Sequence, residues 1–148
     1  FLQSHAKISR DNARTPMQWD SSLQAGFTNS NPWLAVHSNY TSLNVAAQEN
    51  DPDSVLHYFR KMVQLRKNNE TLIYGSFELV DQSNPQLFAY TRQLYNEQFL
   101  VVLNFSATPA ILQTDIQVDS SPIIISNYAT PCQNKVFEPY AAVIYKIQ

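Results

Sequence analysis

Glycine, cysteine and charge are scarce in this chain of 148 residues. With only Gly26 and Gly75 present, glycine-rich loops that bind phosphates or dinucleotides are excluded, because each needs several glycines within one turn. The single Cys132 excludes an internal disulfide framework and a cysteine-built metal site, and it favours a reducing, cytoplasmic location. Charged residues make up 15% and the net charge is −2, so the chain has no electrostatic basis for binding nucleic acid.

Long apolar runs are also missing. No stretch approaches the roughly 18 residues that a membrane-spanning helix needs, and none resembles a signal peptide. Hydrophobic residues nevertheless make up 44% of the chain, which is typical of a folded protein rather than a disordered one. We therefore expect a globular protein with neither a membrane nor a nucleic acid as its partner.

Residues 1–50 lack a sustained period of either two or 3.6 residues. This zone is rich in Asn, Ser, Gln and Thr, yet it contains Trp19, Phe27, Trp33 and Tyr40. Roughly 50 residues without regular elements are unusual inside a compact domain, and long ordered loops are mostly functional. Because the aromatic residues argue against disorder, we expect a long ordered loop that lies on other parts of a protein.

Residues 51–69, "DPDSVLHYFRKMVQLRKNN", predict a helix. Asp51 can cap its start, Pro52 suits the first helical position, and Arg66 and Lys67 suit the last turn. Apolar residues recur with helical spacing along one face, at Val55, Leu56, Phe59, Met62 and Val63. The carboxylates of Asp51 and Asp53 are explained by this helix start rather than by catalysis.

From residue 72 onward the period changes to that of strands. Apolar or alternating runs of strand length occupy residues 72–80, 86–94, 99–105, 110–118, 122–128 and 141–147. The letters "LYNEQF" between the second and third runs predict a hairpin turn. Six or seven strands in about 75 residues predict an antiparallel sandwich or barrel. Aromatic side chains on these strands are expected in the core rather than stacked on sugars, at Phe77, Phe88, Tyr90, Phe99 and Phe105.

The chain shows no catalytic machinery of its own. Asp11 and Asp20 flank the segment "SRDNARTPMQWD", but the sequence cannot show the spacing of about 5 Å that two carboxyl groups of a retaining glycosidase need. No G-x-S-x-G motif occurs, and Cys132 has no evident base beside it.

A series of short motifs carries a family resemblance. "SRDNARTPMQWD" at residues 9–20 is followed by "AGFT", "NPWL" and "DPDSV", and the chain ends in "VVLNFS" and "EPYAAVIYKI". In this order they resemble the C-terminal part of alpha-amylase-superfamily (glycoside hydrolase family 13) alpha-glucosidases. The branch they most resemble contains oligo-1,6-glucosidase, dextran glucosidase and the sucrose isomerases. The resemblance covers nearly the whole chain, which makes it more specific than any single motif.

The resemblance implies a mainly β fold. In that family a (β/α)8 barrel is followed by a C-terminal antiparallel Greek-key β-sandwich. Residues 1–70 would then be the last loop and the eighth helix of a truncated barrel, and residues 71–148 the sandwich. The irregular first zone would then pack on the rest of the barrel, which is not part of this sequence.

The resemblance also implies one substrate-binding residue. Arg14, the arginine of "RTPMQW", is similar to the family residue that pairs with a barrel aspartate and grips the 4-hydroxyl of the terminal glucose, and Arg10 has a weaker claim. Met17 and Trp19 are expected to pack beneath the loop. The catalytic carboxylates of the family lie in motifs upstream of this segment, so none is expected here. We expect no cofactor, and any family calcium site would lie outside these residues.

The sequence therefore predicts a fragment of an exo-acting, retaining alpha-glucosidase that hydrolyses alpha-1,6 or alpha-1,4 bonds of oligosaccharides and is inert alone. A non-enzymatic β-sandwich that binds carbohydrate or another protein remains an alternative. So does a fragment of a sucrose isomerase, because the loops that discriminate the two reactions lie upstream. The superfamily's inactive relatives that escort amino-acid transporters fit less well, because they are linked to membranes.

Overall fold

The computed structural model describes residues 9–130, 132 and 134–148. The first eight residues of the predicted loop therefore lie outside the described part. Residues 1–61 and 62–148 form two compact units, which are described separately below. The predicted boundary at residue 70 stays a prediction.

The first unit is built of short helical turns joined by extended segments. Three 3-10 helices occupy Arg10–Ala13, Leu23–Gly26 and Ser38–Thr41, and helix α1 spans Val45–Glu49. No strand occurs among the described residues of this unit. The predicted irregular zone is thus present, although α1 within it was not predicted.

Helix α2 spans Val55–Lys67 and so begins later than predicted. Ser54, which is buried, takes the capping position expected of Asp51: its Oγ accepts a hydrogen bond from the backbone N–H of His57 at 3.3 Å. The same hydroxyl donates to the carbonyl of Gln48 at 2.7 Å. Asp51 instead closes the preceding turn through its side chain. Two hydroxyl-based bonds therefore fix the start of the helix, and Pro52 lies in the turn before it.

The second unit contains the end of α2, helix α3 and all seven strands found in the described residues. Helix α3 spans Glu70–Tyr74 and is capped by the side chain of Asn69. The strands are β1 Ser76–Val80, β2 Leu87–Leu94, β3 Glu97–Asn104, β4 Ala110–Ile111, β5 Ile123–Ser126, β6 Val136–Phe137 and β7 Ala142–Lys146. The run at residues 72–80, predicted as one strand, is therefore divided between α3 and β1.

The strands form two sheets. One is five-stranded and antiparallel with the order β1-β2-β3-β7-β5, and the other pairs β4 with β6. Strands β2 and β3 form the predicted hairpin, in which Leu94 pairs with Glu97 and leaves Tyr95 and Asn96 as the turn. The chain crosses between the sheets before β7 returns beside β3, a long return connection of the Greek-key type. The predicted antiparallel β-sandwich is confirmed.

The five-stranded sheet has an apolar side chain layer on each face. The larger core lies between the sheets and consists of Leu87, Ala89, Leu100, Val102, Ala110, Leu112, Val118, Phe137, Ala141, Val143 and Tyr145. On the opposite face Phe99, Val101 and Ile144 are buried, with Met62 and Leu65 of α2 packed against them. The alternation of inward and outward residues along β2 and β3 places these two layers on opposite sides of one sheet.

The prediction that all strand aromatic residues lie in the core is wrong for three of them. Phe99 is 2% exposed, but Phe77, Phe88 and Phe105 are 49%, 41% and 70% exposed. Phe77 and Phe88 face away from the larger core, on the side of the sheet that the helices cover only in part. Phe105 follows the last residue of β3.

Asn104, at the end of β3, joins three parts of the sandwich. The two hydrogens of its Nδ2 are shared among the carbonyls of Thr108, Phe137 and Glu138, which lie at 2.9–3.0 Å. Its Oδ1 accepts from the backbone N–H and the hydroxyl of Ser106 at 2.9 and 2.8 Å. One side chain thus satisfies loop and strand groups that would otherwise be buried without partners, which is costly.

Replacing Asn104 with aspartate should destabilise the sandwich strongly. Asn104→Asp keeps the size and the Oδ1 acceptor but sets a second oxygen against three carbonyl oxygens. We expect the free energy of unfolding to fall by about 3 kcal/mol, measured by urea denaturation. Asn96→Asp makes the same change in the exposed hairpin turn and should have little effect. Equal urea midpoints for Asn104→Asp and the unaltered chain would contradict this account.

Candidate functional site

The candidate site begins with a short helical turn that ends at Arg14. Ser9 caps the 3-10 helix Arg10–Ala13, because its hydroxyl accepts a hydrogen bond from the N–H of Asp11 at 3.3 Å. The N–H of Arg14 donates to the carbonyl of Asp11 at 3.0 Å and closes the turn. This turn fixes the backbone from which the Arg14 side chain projects.

The two candidate arginines differ in what their side chains contact. The Arg10 Nε lies 3.6 Å from Asp11 Oδ1, and both side chains are well exposed, so this ion pair contributes little to stability. Arg14 is exposed, and its guanidinium makes no hydrogen bond or ion pair with any residue that the structure describes. A guanidinium left with five unused donors is ready to bind a carboxylate or a sugar oxygen supplied from outside.

The segment after Arg14 is held by the start of helix α1. The carbonyls of Gln18 and Trp19 accept hydrogen bonds, both of 2.9 Å, from the N–H groups of Val45 and Ala46. These N–H groups belong to the first turn of α1, where a helix has no internal acceptors for them. Backbone hydrogen bonds therefore order the loop, because its carbonyl groups accept from N–H groups that have no acceptor within α1.

Asn44 makes this arrangement possible. It is 5% exposed, its Oδ1 caps α1 by accepting from the N–H of Ala47 at 2.8 Å, and its Nδ2 donates to the carbonyl of Tyr40 at 2.8 Å. Sequence reasoning missed this residue. The signal was present in "NVAAQE", because an asparagine before a run of helix-forming residues is a typical helix start.

Asp20 closes a tight turn beside the pinned segment. The N–H groups of Trp19 and Asp20 both donate to the carbonyl of Ala25. The hydroxyl and the backbone N–H of Ser22 donate to the Asp20 carboxylate, and they lower its pKa below the usual value. Gly26 has φ +65°, and a Cβ there would lie 2.7 Å from Asp20 Oδ2. The carboxylate thus has a structural use in the turn.

Apolar side chains of this unit are exposed rather than buried. Met17 and Trp19 are each about half exposed, so the prediction that they pack beneath the loop is wrong within this chain. Trp33 is 93% exposed. The reason is physical: the unit is a chain of short turns without a layer of its own to cover these side chains. Other exposed members are Leu23, Phe27 and Leu43.

Two other candidate chemistries find no support in the geometry. The thiol of Cys132 lies 2.8 Å from the hydroxyl of Tyr145, and burial raises its pKa, which keeps it protonated and a poor nucleophile. Among the described residues, no group of three His, Cys, Asp or Glu side chains could hold a metal ion. No helix within the described ranges is long and apolar enough to cross a membrane.

Comparison with known proteins identifies the family. A model of the alpha-amylase catalytic domain matches residues 1–75 of this chain. The chain belongs to the alpha-amylase family. A second model, of the maltogenic amylase C-terminal domain, matches residues 77–144. The irregular unit with helices α2 and α3 thus matches part of the family's catalytic domain, and the strands match its C-terminal domain.

Relatives within the alpha-amylase family are glucosidases and sucrose-converting enzymes. The chain is 42% identical to oligo-1,6-glucosidase of Bacillus cereus, a match that covers 99% of the chain and 27% of that enzyme. It is 42% identical to glucan 1,6-alpha-glucosidase of Streptococcus pneumoniae, covering 96% and 26%. The crystal structure of isomaltulose synthase from Erwinia rhapontici superposes with a TM-score of 0.86 at 40% identity, covering 98% and 27%. The chain spans about a quarter of the length of these relatives.

The cap at Asn44 should control the order of the Arg14 segment. Asn44→Ala is expected to cost about 1 kcal/mol, because it removes the cap that holds the start of α1 in place. Hydrogen exchange of the Val45 and Ala46 amides should become about fivefold faster. Asn96→Ala, in the exposed turn between β2 and β3, serves as the control and should change these rates less than twofold. Unchanged exchange in Asn44→Ala would show that the loop does not depend on this cap.

Proposed function

We propose that this chain is the C-terminal quarter of an exo-acting, retaining alpha-glucosidase that hydrolyses alpha-1,6 or alpha-1,4 bonds of oligosaccharides. Family membership and relatives named oligo-1,6-glucosidase and glucan 1,6-alpha-glucosidase support the proposal. Residues 1–70 would end the catalytic barrel, and residues 71–148 would be the C-terminal sandwich domain. The partners would be the oligosaccharide and the rest of the barrel, and the single free Cys132 favours a cytoplasmic location.

The observation that carries the proposal is the exposed Arg14 guanidinium, which has no partner among the described residues and lies between a capped turn and a segment bonded to the start of α1. In the longer enzyme this guanidinium would pair with a barrel aspartate and donate hydrogen bonds to the 4-hydroxyl of the terminal glucose. A planar, permanently charged fork suits both acceptors. Because Arg14 would hold the 4-hydroxyl of the terminal glucose, no further sugar unit could extend past that position. The enzyme would therefore act at chain ends.

The chain would position the sugar without breaking the bond. Hydrolysis with retention needs one carboxylate as nucleophile and a second carboxyl group as acid and base, on either side of the glycosidic bond. The Asp20 carboxylate is used by Ser22 within its turn, and Asp11 lies beside Arg10. We assign both catalytic carboxyl groups to the upstream part of the longer enzyme. Arg14, with Arg10 as a weaker second, would fix the glucose ring against them.

A second candidate reaction is the isomerisation of sucrose. It is favoured by the structural match to isomaltulose synthase and by a match to trehalulose synthase with a TM-score of 0.89 and 37% identity. The two reactions share the glucosyl-binding step and differ in whether water or the fructose takes the glucosyl group. Sugar analysis after incubation of the longer enzyme with sucrose separates them: glucose and fructose indicate hydrolysis, and an isomeric disaccharide indicates isomerisation.

The chain alone should be inert. We expect no release of p-nitrophenol from p-nitrophenyl alpha-glucoside above the buffer rate, because the catalytic carboxyl groups are assigned to the missing part. Titration of the chain with isomaltose should likewise show no saturable binding, which would distinguish it from an independent sugar-binding module. Turnover comparable to that of a complete glucosidase would contradict the proposal.

Within the longer enzyme, Arg14 should be the residue of this chain on which activity depends most. Arg14→Ala should lower kcat/KM for isomaltose about 100-fold, which corresponds to the loss of about 2.7 kcal/mol from charge-assisted hydrogen bonds. Arg10→Ala should lower it about fivefold. Arg66→Ala, an exposed change in the last turn of α2, should leave it unchanged. If Arg14→Ala were as active as Arg66→Ala, the assigned role of the loop would be wrong.

A further inference from the structure

The helix-covered face of the five-stranded sheet is only partly buried. Its covered part consists of Phe99, Val101 and Ile144, which lie beneath the second half of α2 and beneath α3. Both helices fall within residues 1–75, which match the catalytic-domain model, and nearly all of the sheet falls within residues 77–144, which match the C-terminal-domain model. This packing is therefore already an interface between the two family domains.

The same face continues beyond the helices as Phe77, Leu79 and Phe88, here called the apolar strip. These side chains are 49%, 42% and 41% exposed. The register sets Leu79 opposite Tyr90, and Phe88 precedes Tyr90 by two residues, so all of them share one face. The ring centroids of Phe77 and Phe88 lie 5.0 and 5.4 Å from that of Tyr90.

Tyr90 connects the strip to the buried interface. It packs against the cluster of Phe99, Val101 and Ile144 on one side and touches both phenylalanine rings of the strip on the other. The three side chains of the strip are apolar, and Arg92, opposite Phe77, is the charged neighbour on this face. An apolar and aromatic surface continuous with a buried interface has the composition of an interface core, in which arginine is also common.

We propose that the apolar strip extends the interface between the two domains and is covered, in the longer enzyme, by a part of the catalytic domain that precedes this chain. The inference rests on the proposed function. The match to the Bacillus cereus enzyme leaves about three quarters of that enzyme's length outside it, which is ample to supply the covering element. Because the helices already hold the domains together, the strip need not be a stable interface by itself.

Two other occupants fit the strip less well. A sugar site needs polar groups that converge on the ligand. The strand partner of Phe77 on this face, Arg92, donates from its Nη2 to the carbonyl of Ile73 at 3.1 Å, and its Nε, although unpaired among the described residues, is buried and so out of reach of a sugar. A second copy of the chain would need about 800 Å² of buried surface on each partner for a stable dimer. Three half-exposed side chains provide only a small part of that area.

Cysteine labelling of the longer enzyme tests the proposal. Leu79→Cys is placed in the strip, and Ile111→Cys, on the outer side of the two-stranded sheet and 55% exposed, is the matched control. Both are made with Cys132→Ser, and the rate of the unaltered background is subtracted. We expect a maleimide to label Leu79→Cys at least tenfold more slowly than Ile111→Cys in the native enzyme, and equally fast in urea.

Each other outcome overturns the proposal. Equal native rates would show that nothing covers the strip. Protection that appears only with added isomaltose would show a sugar site, and protection that rises with protein concentration, together with a dimer on size exclusion, would show self-association. Isomaltose hydrolysis is measured on the same samples. Activity with an unprotected Leu79→Cys would refute the interface alone, whereas protection in an enzyme inactive on isomaltose would refute the proposed function alone.

Discussion

Burial on both faces of one sheet is the constraint on which this structure depends. The five-stranded sheet presents apolar residues in both directions, and a fully buried side chain such as Phe99 contributes about 1.5–3 kcal/mol only when a second layer covers it. On one face the layer is the β4–β6 sheet with the loops around it. On the other it is the end of α2 with α3. Removing either helix would expose apolar residues on that face of the sheet, so α2 and α3 belong to the core of this unit as much as its strands do.

The loop that carries Arg14 is ordered in a different way. Its unit buries few side chains, and its order comes from backbone hydrogen bonds that link the first turn of α1 to Gln18 and Trp19, with Asn44 as the shared support. Such bonds are directional, so they fix where the backbone runs while leaving side chains on the open surface. That property suits the role we propose for Arg14, whose side chain would reach from this loop toward a ligand.

Elements with a regular pattern of apolar residues could be predicted from the sequence. Features that depend on one tertiary contact, such as the first residue of a helix, could not. Strand β2 alternates, strand β3 is a continuous apolar run, and both lie with their hairpin where expected. The start of α2 was misplaced because Ser54, bonded to Gln48, outcompetes Asp51 as the cap, and only the structure shows that contact. Strand β6 has two residues, too few for any period. The exposed Phe77 and Phe88 were misread because alternation tells which residues share a face but not whether that face is covered.

The residues of this chain alone do not specify the function of the candidate site. Composition and spacing exclude whole classes of chemistry, but the role of Arg14 comes from family resemblance, because every group it would bind belongs to another part of the enzyme or to the sugar. The structure adds a physical condition to that resemblance. Arg60, by contrast, contacts Glu49 of its own unit at 2.9 Å, so one of its guanidinium donors is already engaged. Arg14 has no such partner among the described residues, so its donors remain available for the carboxylate and the sugar hydroxyl that we propose as its partners.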